Sequence, residues 1–189
     1  MKRIIVGMSG ASGPHYGIRL LEVLKEHKNV QTHLIISEAA KTNISLETTW
    51  KIEDVEALAD YVYANDDLAA RVASGSFLSD GMVIAPCSVK TLSGLAHSYN
   101  ANLLIRAGDV ILKERRRLVL VFRETPLHVG HLRLLTQVSE IGAVIMPPVP
   151  AFYHHPKTIQ DLVDQTIGKV LDQFGIESEL FQRWEGAGC

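Results

Sequence analysis

The sequence is short of cysteine, of aromatic side chains, of excess charge and of long apolar runs, and each shortage removes a class of protein. Its two cysteines, Cys87 and Cys189, make neither a metal-ligand spacing nor a disulfide framework. Such sparing use fits a reducing compartment. Nineteen Lys and Arg against 21 Asp and Glu leave a formal charge of −2, which argues against a nucleic-acid binder held by bulk electrostatics. Aromatic residues are only 6% of the chain, so packing falls to Val, Ile, Leu and Ala. No apolar run approaches a membrane span. The opening MKRIIVGMSG has a basic pair before apolar residues, but the run stops after about five positions, short of a signal-peptide core. A soluble, cytoplasmic protein engaging neither membrane nor nucleic acid is the expectation. No metal site is expected either. A D-D-x-x-D cluster is missing, and the adjacent pair His154-His155, followed by Pro156, is poorly placed to chelate.

What remains is a chain of 189 residues, 47% hydrophobic, long enough for one domain with a sizeable core. Apolar, β-branched runs recur: RIIVGM (3–8), THLIIS (32–37), MVIAPCS (82–88), LVLVF (118–122) and AVIMP (143–147). They read as buried parallel strands, with a weaker sixth at YVYAN (61–65). Helical patterns lie between them, clearest at 158–174, where Ile159, Leu162, Val163, Ile167, Val170, Leu171 and Phe174 recur at helical spacing. The alternation predicts an α/β fold: a three-layer α/β/α domain over 1–189 with an open, mostly parallel, doubly wound sheet of Rossmann or flavodoxin-like type. Two long irregular segments, 70–81 and 147–158, flank strands where such a fold places its ligand crevice.

Two segments suit an anion. GMSGASGPHYG (7–17) joins the first strand to the first helix. Ser9 to Gly13 can present backbone N–H groups and two hydroxyls, and Pro14 suits the first helical turn. A plain strand–helix turn would need no ligand. The spacing is not G-x-G-x-x-G, and Ser37, not an acid, ends the second strand. Glu38 reads more simply as a first-turn acid behind a Ser37 cap, so a dinucleotide is disfavoured. The second segment, PCSVKTLSG (86–94), places Ser88 as an N-cap with Val89, Lys90 and Thr91 in the first turn. As a cap alone it too needs no ligand. Cys87 reads as a small buried thiol rather than a nucleophile. Among the cations, Arg106 and Lys113 share a helix face, Arg123 ends a strand with Glu124 following, and Lys169 flanks the last helix's apolar face. Solvated surface cations are the default for all but Arg123.

Taken together, GMSGASG, LIISEAAKTNISLET, MVIAPCSVKTLSG, LKERRRLVLVFRETPLH and GAVIMPPVPAFYHHP resemble the UbiX family of flavin prenyltransferases, which shares its fold with flavin-containing cysteine decarboxylases. The likeness runs from residue 3 to about Trp184. It implies transfer of a dimethylallyl group from dimethylallyl monophosphate to N5 and C6 of reduced FMN, without a metal. The product, prenyl-FMN, is the cofactor of UbiD-type decarboxylases. It also implies a homo-oligomer, a dodecamer with sites at subunit interfaces, and a segment of about 175–189 packing on a neighbouring subunit.

By the same resemblance Gly10, Ala11, Ser12, Ser37, Ser88, Val89, Lys90, Thr91 and Arg123 match positions that hold FMN. Tyr153 and Lys169 match positions that hold the prenyl phosphate, with Arg106, Lys113, Arg123 and Glu124 around the same cavity. Glu47 matches a proton-transfer carboxylate working with Ser12, so Ser12, Glu47, Lys113 and Glu124 are the expected catalytic groups. The chemistry asks for these types. A leaving phosphate needs preorganised donors, and bond formation at N5 and C6 releases protons that need a base. From the residues alone Glu47 would be a surface carboxylate beside Trp50. Arg117 and Gly108 stand where the family often has Pro and Ala, both outside the site motifs.

Two other readings stay open. An FMN-dependent decarboxylase, of the cysteine type or acting on an aromatic acid, is disfavoured because SGSFLSDG holds no His and the next loop reads CSVKT. A non-catalytic FMN carrier would leave Glu47, Tyr153 and Lys169 without purpose.

Overall fold

The apolar runs become strands because both faces of the sheet are covered, which rewards β-branched side chains at every position. The computed structural model describes residues 1–184 and 186. Residues 185 and 187–189, the far end of the segment expected to meet a neighbour, lie outside the described residues. Six strands form, β1 (Lys2–Met8), β2 (Val30–Ile36), β3 (Tyr61–Tyr63), β4 (Gly81–Cys87), β5 (Arg117–Phe122) and β6 (Val144–Ile145). They pair in parallel throughout, in the order β3-β2-β1-β4-β5-β6. Helices α1 (Pro14–Glu26), α2 (Glu38–Glu47), α3 (Ile52–Glu56), α4 (Val89–Ala96), α5 (Leu103–Lys113), α6 (Val129–Glu140) and α7 (Ile159–Asp172) complete the layers.

Alternation along the strands divides the core in two. Val6, Met8 and Val83 pack with Ile18, Leu21, Ile167 and Leu171 from α1 and α7. Ile5, Met82 and Ile84 pack with Leu95, Leu104 and Ile111 from α4 and α5 on the other face. The expected three-layer, doubly wound domain is therefore the fold, and the strand order reverses between β1 and β4, where such sheets open a crevice. Among the described residues no helix is long and apolar enough to cross a membrane.

Local differences from the sequence reading have local causes. The weak sixth strand is real but spans three residues at the sheet edge. The run 143–147 shrinks to two residues, because Pro147 and Pro148 cannot donate to a ladder. The last helix starts one residue later than its pattern, with Thr158 and Asp161 forming a capping box. Within 70–81 only Arg71–Ala73 is regular, a 3₁₀ turn.

The β3 edge is closed by an aromatic cluster around His33, which is fully buried. Its ring stacks on Tyr61 at 4.9 Å and meets the edge of Phe77 at 4.9 Å, and its Nδ1 lies 2.9 Å from the Tyr63 hydroxyl. Arg71 caps the cluster, its guanidinium 4.3 Å over the Tyr61 ring. Burial, and then the charges of Arg71 and Arg3, push His33 from 6.5 down to about 4. The unfolded chain thus binds a proton between those values that the native state refuses, so stability falls as pH drops from about 6.5 to about 4. Unfolding titrations at pH 7 and pH 4 should show His33→Gln losing about 2 kcal/mol less than the parent across that interval. Equal losses would remove His33 from the acid response.

Candidate functional site

Each strand that ends at the crevice hands the chain to a short polar loop, and the loops are built around helix starts. After β1, Ser9 is buried; its Oγ donates to the Pro86 carbonyl at 2.9 Å and accepts from Ser88 N–H at 2.8 Å. After β2, Ser37 caps α2, its Oγ accepting from Ala40 N–H at 3.2 Å. After β4, Ser88 caps α4, accepting from Thr91 N–H at 3.3 Å and donating to Thr91 Oγ1 at 3.2 Å. The N–H groups of Glu38, Ala39, Val89 and Lys90 belong to first turns and have no partner within their helices.

These loops surround a cavity of about 450 Å³, lined by Gly10, Ser37 to Ala39, Asn65, Ser88 to Thr91, Asn102, Ile105 and Glu124. Three helix N-termini border it: those of α2, α4 and α5. Their dipoles, and the open first-turn amides of α2 and α4, favour an anion there. Gly10 makes the loop's approach to α2 feasible, since a Cβ on it would stand 2.4 Å from the Ala39 Cβ. A wider hollow of about 810 Å³ around Lys2, His27 and Lys28 lies at the opposite sheet edge. Helix α1 ends there, presenting carbonyls rather than amides, so that hollow lacks an anion cradle.

The fourth helix start in this region is answered differently. Gly13 N–H and the Ser12 hydroxyl both donate to Glu47 Oε2, at 2.8 and 3.1 Å. A carboxylate from the end of α2 therefore occupies the N-terminus of α1, and the loop's anion-binding surface narrows to Gly10. Of the first loop's expected contacts, Ala11 and Ser12 do not line the cavity, while Gly10 does.

The remaining predicted residues fall into two groups. Glu124 lines the cavity and accepts from Thr125 N–H at 2.9 Å. Arg123, anchored by its N–H to the Cys87 carbonyl at 3.0 Å, is exposed at the same edge. Its charge offsets part of the burial that raises Tyr16. Burial likewise pushes the Cys87 thiol up, so at neutral pH it is no nucleophile. By contrast, Arg106 and Lys113 do not line the cavity within this chain. Arg106 donates to the Ala73 carbonyl at 3.2 Å and faces Asp109. Lys113 pairs with Glu114 beside Gly75, about 16 Å along α5 from its cavity end. Tyr153 and Lys169 also sit apart, joined by the chain end: Tyr153 packs edge-on against Trp184 at 6.0 Å, and Lys169 lies 3.4 Å from Asp172, which Arg183 also holds.

Asn65 and Asn102, along with the apolar Ala39 and Ile105, line the cavity and escaped the sequence reading. Asn65 accepts from Leu103 N–H through its carbonyl at 2.7 Å and from Leu104 N–H through Oδ1 at 3.1 Å, fixing α5 to the end of β3. Asn102 caps α5 by accepting from Ile105 N–H at 3.0 Å. An Asn before the apolar run LLI is a readable cap signal, whereas the Asn65 clamp is purely tertiary. Among the described residues no group of three or more His, Cys, Asp or Glu is placed to hold a metal.

Residues 1–171 match the family described as Flavoprotein. The flavin prenyltransferase UbiX of Escherichia coli strain K12 is 60% identical over 189 residues, covering 99% of this chain and all of that protein. The crystal structure of AnUbiX (PadA1) in complex with FMN and dimethylallyl pyrophosphate superposes with a TM-score of 0.96 at 49% identity, covering 98% of both chains. A dodecameric FMN-dependent UbiX-like decarboxylase from Escherichia coli O157:H7 also gives 0.96 at 49% identity, covering 97% of this chain and all of that one.

The tight seat of the first loop on α2 is directly testable. Gly10→Ala should lower the unfolding free energy by about 1–3 kcal/mol in urea titrations, the cost of forcing a methyl into filled space. An unchanged midpoint would mean that the loop does not lie against α2 in solution.

Proposed function

The chain belongs to the Flavoprotein family and, within it, to the UbiX flavin prenyltransferases, and from that premise we propose how its residues divide the work of joining a dimethylallyl group to reduced FMN. The observation that carries the reading is the Glu47 carboxylate, seated on Ser12 and Gly13 beside an anion cavity bordered by three helix N-termini. The cavity falls within the usual range for small-molecule sites, and its donors are amides and hydroxyls that suit a phosphate monoester. Gly10, Ser37 and Ser88 to Thr91 hold FMN there, with Ala11 and Ser12 at its rim and Arg123 alongside. Reduced flavin, when bound, supplies the electron-rich N5 and C6 that accept the prenyl group.

The chain's own groups then have distinct duties. Ser12 and Glu47 form a short proton path: the hydroxyl donates to Glu47 Oε2, so Glu47 can take up a proton that reaches Ser12. Tyr153 and Lys169 hold the phosphate of dimethylallyl monophosphate, Arg106 and Lys113 complete that side and stabilise charge as the phosphate departs, and Glu124 stands at the cavity wall as a proton-carrying group. Lys113 lies too far along α5 to reach the cavity of its own chain, so a neighbouring subunit supplies it. This requires a homo-oligomer, for which we take the dodecamer of the decarboxylase-named relative as the pattern. The exposed side of 175–184, where Trp184 is 63% exposed, offers a surface for such a neighbour. We place the enzyme in the cytoplasm, passing prenyl-FMN to a UbiD-type decarboxylase.

Anaerobic incubation with reduced FMN and dimethylallyl monophosphate, followed by mass spectrometry of the released flavin, should show the prenylated product. Bound but unmodified FMN would favour a carrier, and CO₂ from an aromatic acid a decarboxylase. Glu47→Gln should retain FMN binding while slowing prenylation about a hundredfold or more, the scale of a lost general base. Unchanged turnover would remove Glu47 from the mechanism.

A further inference from the structure

Beyond α7 the chain doubles back along its own helix. Ile176 is buried and its N–H donates to the Leu171 carbonyl at 3.1 Å. The Phe181 ring lies so close over Gly168 that a Cβ there would stand 2.5 Å from it. Arg183 stacks its guanidinium 5.4 Å from that ring and grips Asp172 with both terminal nitrogens, at 2.7 and 2.9 Å. The tail thereby touches both residues assigned to the donor phosphate: Tyr153 through Trp184, and Lys169 through Asp172.

Asp172 serves two cations unequally. Arg183 engages both carboxylate oxygens in a planar fork, whereas Lys169 Nζ makes one long contact at 3.4 Å. The side chains of Lys169 and Asp172 are 47% and 21% exposed, so the carboxylate is the more enclosed partner. The Arg183 pairing is also the main reason that Asp172 lies below the usual carboxylate range. A carboxylate whose charge is already met by a guanidinium fork attracts a second cation less strongly, consistent with the long Lys169 contact. Without Arg183, Lys169 and Asp172, three residues apart on one helix, would close into an ordinary ion pair. Nothing else within reach of Asp172 competes for it among the described contacts.

We propose that Arg183 is a positioning residue for prenyl transfer, occupying Asp172 so that the Lys169 ammonium stays available to the phosphate of the prenyl donor. The proposal rests on the reading of Lys169 as a phosphate ligand. It assigns Arg183 no contact with substrate; its effect passes through Asp172.

The test is steady-state prenylation with dimethylallyl monophosphate as the varied substrate, with FMN affinity measured alongside to report an intact fold. Arg183→Gln should raise KM about tenfold, the loss expected when one charge-assisted hydrogen bond is withdrawn, with FMN affinity unchanged. Adding Asp172→Asn should return KM to near the parent value, because the competing carboxylate is gone. Asp172→Asn alone should leave KM at or below the parent value although the tail has lost its clasp. If Asp172→Asn raises KM as much as Arg183→Gln does, or the double variant is not rescued, the pair merely anchors the tail and the proposal fails. If Lys169→Ala raises KM while Arg183→Gln does not, the proposal fails and the phosphate assignment stands. If Lys169→Ala leaves KM unchanged, the phosphate assignment itself falls and takes the proposal with it.

Discussion

One buried hydroxyl holds the crevice together. Ser9, 1% exposed, leaves β1 where the strand order reverses, and its Oγ donates to Pro86 and accepts from Ser88 N–H. Its own N–H donates to the same Pro86 carbonyl at 3.1 Å. Both hydrogen-bonding capacities of the hydroxyl are spent across the β1–β4 boundary, as burial demands. That stitch fixes where β4 ends and where Ser88 begins α4, while the same loop carries Gly10 against α2. Loss of the hydroxyl would leave Ser88 N–H without its partner, while the Pro86 carbonyl would keep only the Ser9 N–H. The convergence of the α2 and α4 starts on one cavity follows from this single residue more than from any residue facing the cavity.

The same loop separates two electrostatic tasks that would otherwise interfere. Helix N-termini attract anions, and four of them start near this edge. Those of α2 and α4 are left open toward the cavity, that of α5 is met by Asn65 and Asn102, and that of α1 is filled by Glu47. Had α1 remained open, the loop would offer a third open positive end and no carboxylate beside it. With Glu47 in place, the open amides at the cavity and the carboxylate beside them are adjacent but distinct, and neither neutralises the other. The outlying cations follow from fold geometry. In a doubly wound domain the helices run back from the crevice, so side chains late in α5 and α7, Lys113 and Lys169, sit far from the cavity of their own chain. A site that uses them has to be shared between copies.

Much of the fold was legible because it rests on local patterns. Uniform apolar runs announced the parallel strands, and Ser37 and Ser88, each just before a helical stretch, announced their caps. What stayed hidden depends on partners distant in sequence. Nothing in YVYAN shows that Asn65 clamps the start of α5, and nothing in SLET shows that Glu47 will meet Ser12, 35 positions earlier. The resemblance named Glu47, but pattern alone left it on the surface. Gly10 read as one glycine among several, and only the 2.4 Å approach to Ala39 distinguishes it. The tail was read for a neighbouring subunit, and its hold on Asp172 went unseen because Arg183 lies 11 positions away, beyond helical reach.

Rigidity is unevenly distributed over the assembled picture, and the distribution suits the chemistry. The cavity's donors are backbone amides, fixed because α2 and α4 are pinned by Ala40, Ile44, Leu92 and Leu95, all fully or nearly buried. Such donors cannot turn away when a ligand leaves, so little reorganisation is required when it arrives. The side chains proposed for the prenyl donor, and the arginine beside them, are exposed and rotatable: Lys169 at 47% and Arg183 at 50% exposure, and Tyr153 on an irregular loop. A long flexible cation loses more freedom on binding than an amide does, and it also reaches whichever nearby anion holds it best. Under the proposed assignment, the competition between carboxylate and phosphate decides which partner the Lys169 ammonium takes. A protein that positions a leaving phosphate with lysine must therefore also control the acids beside the lysine.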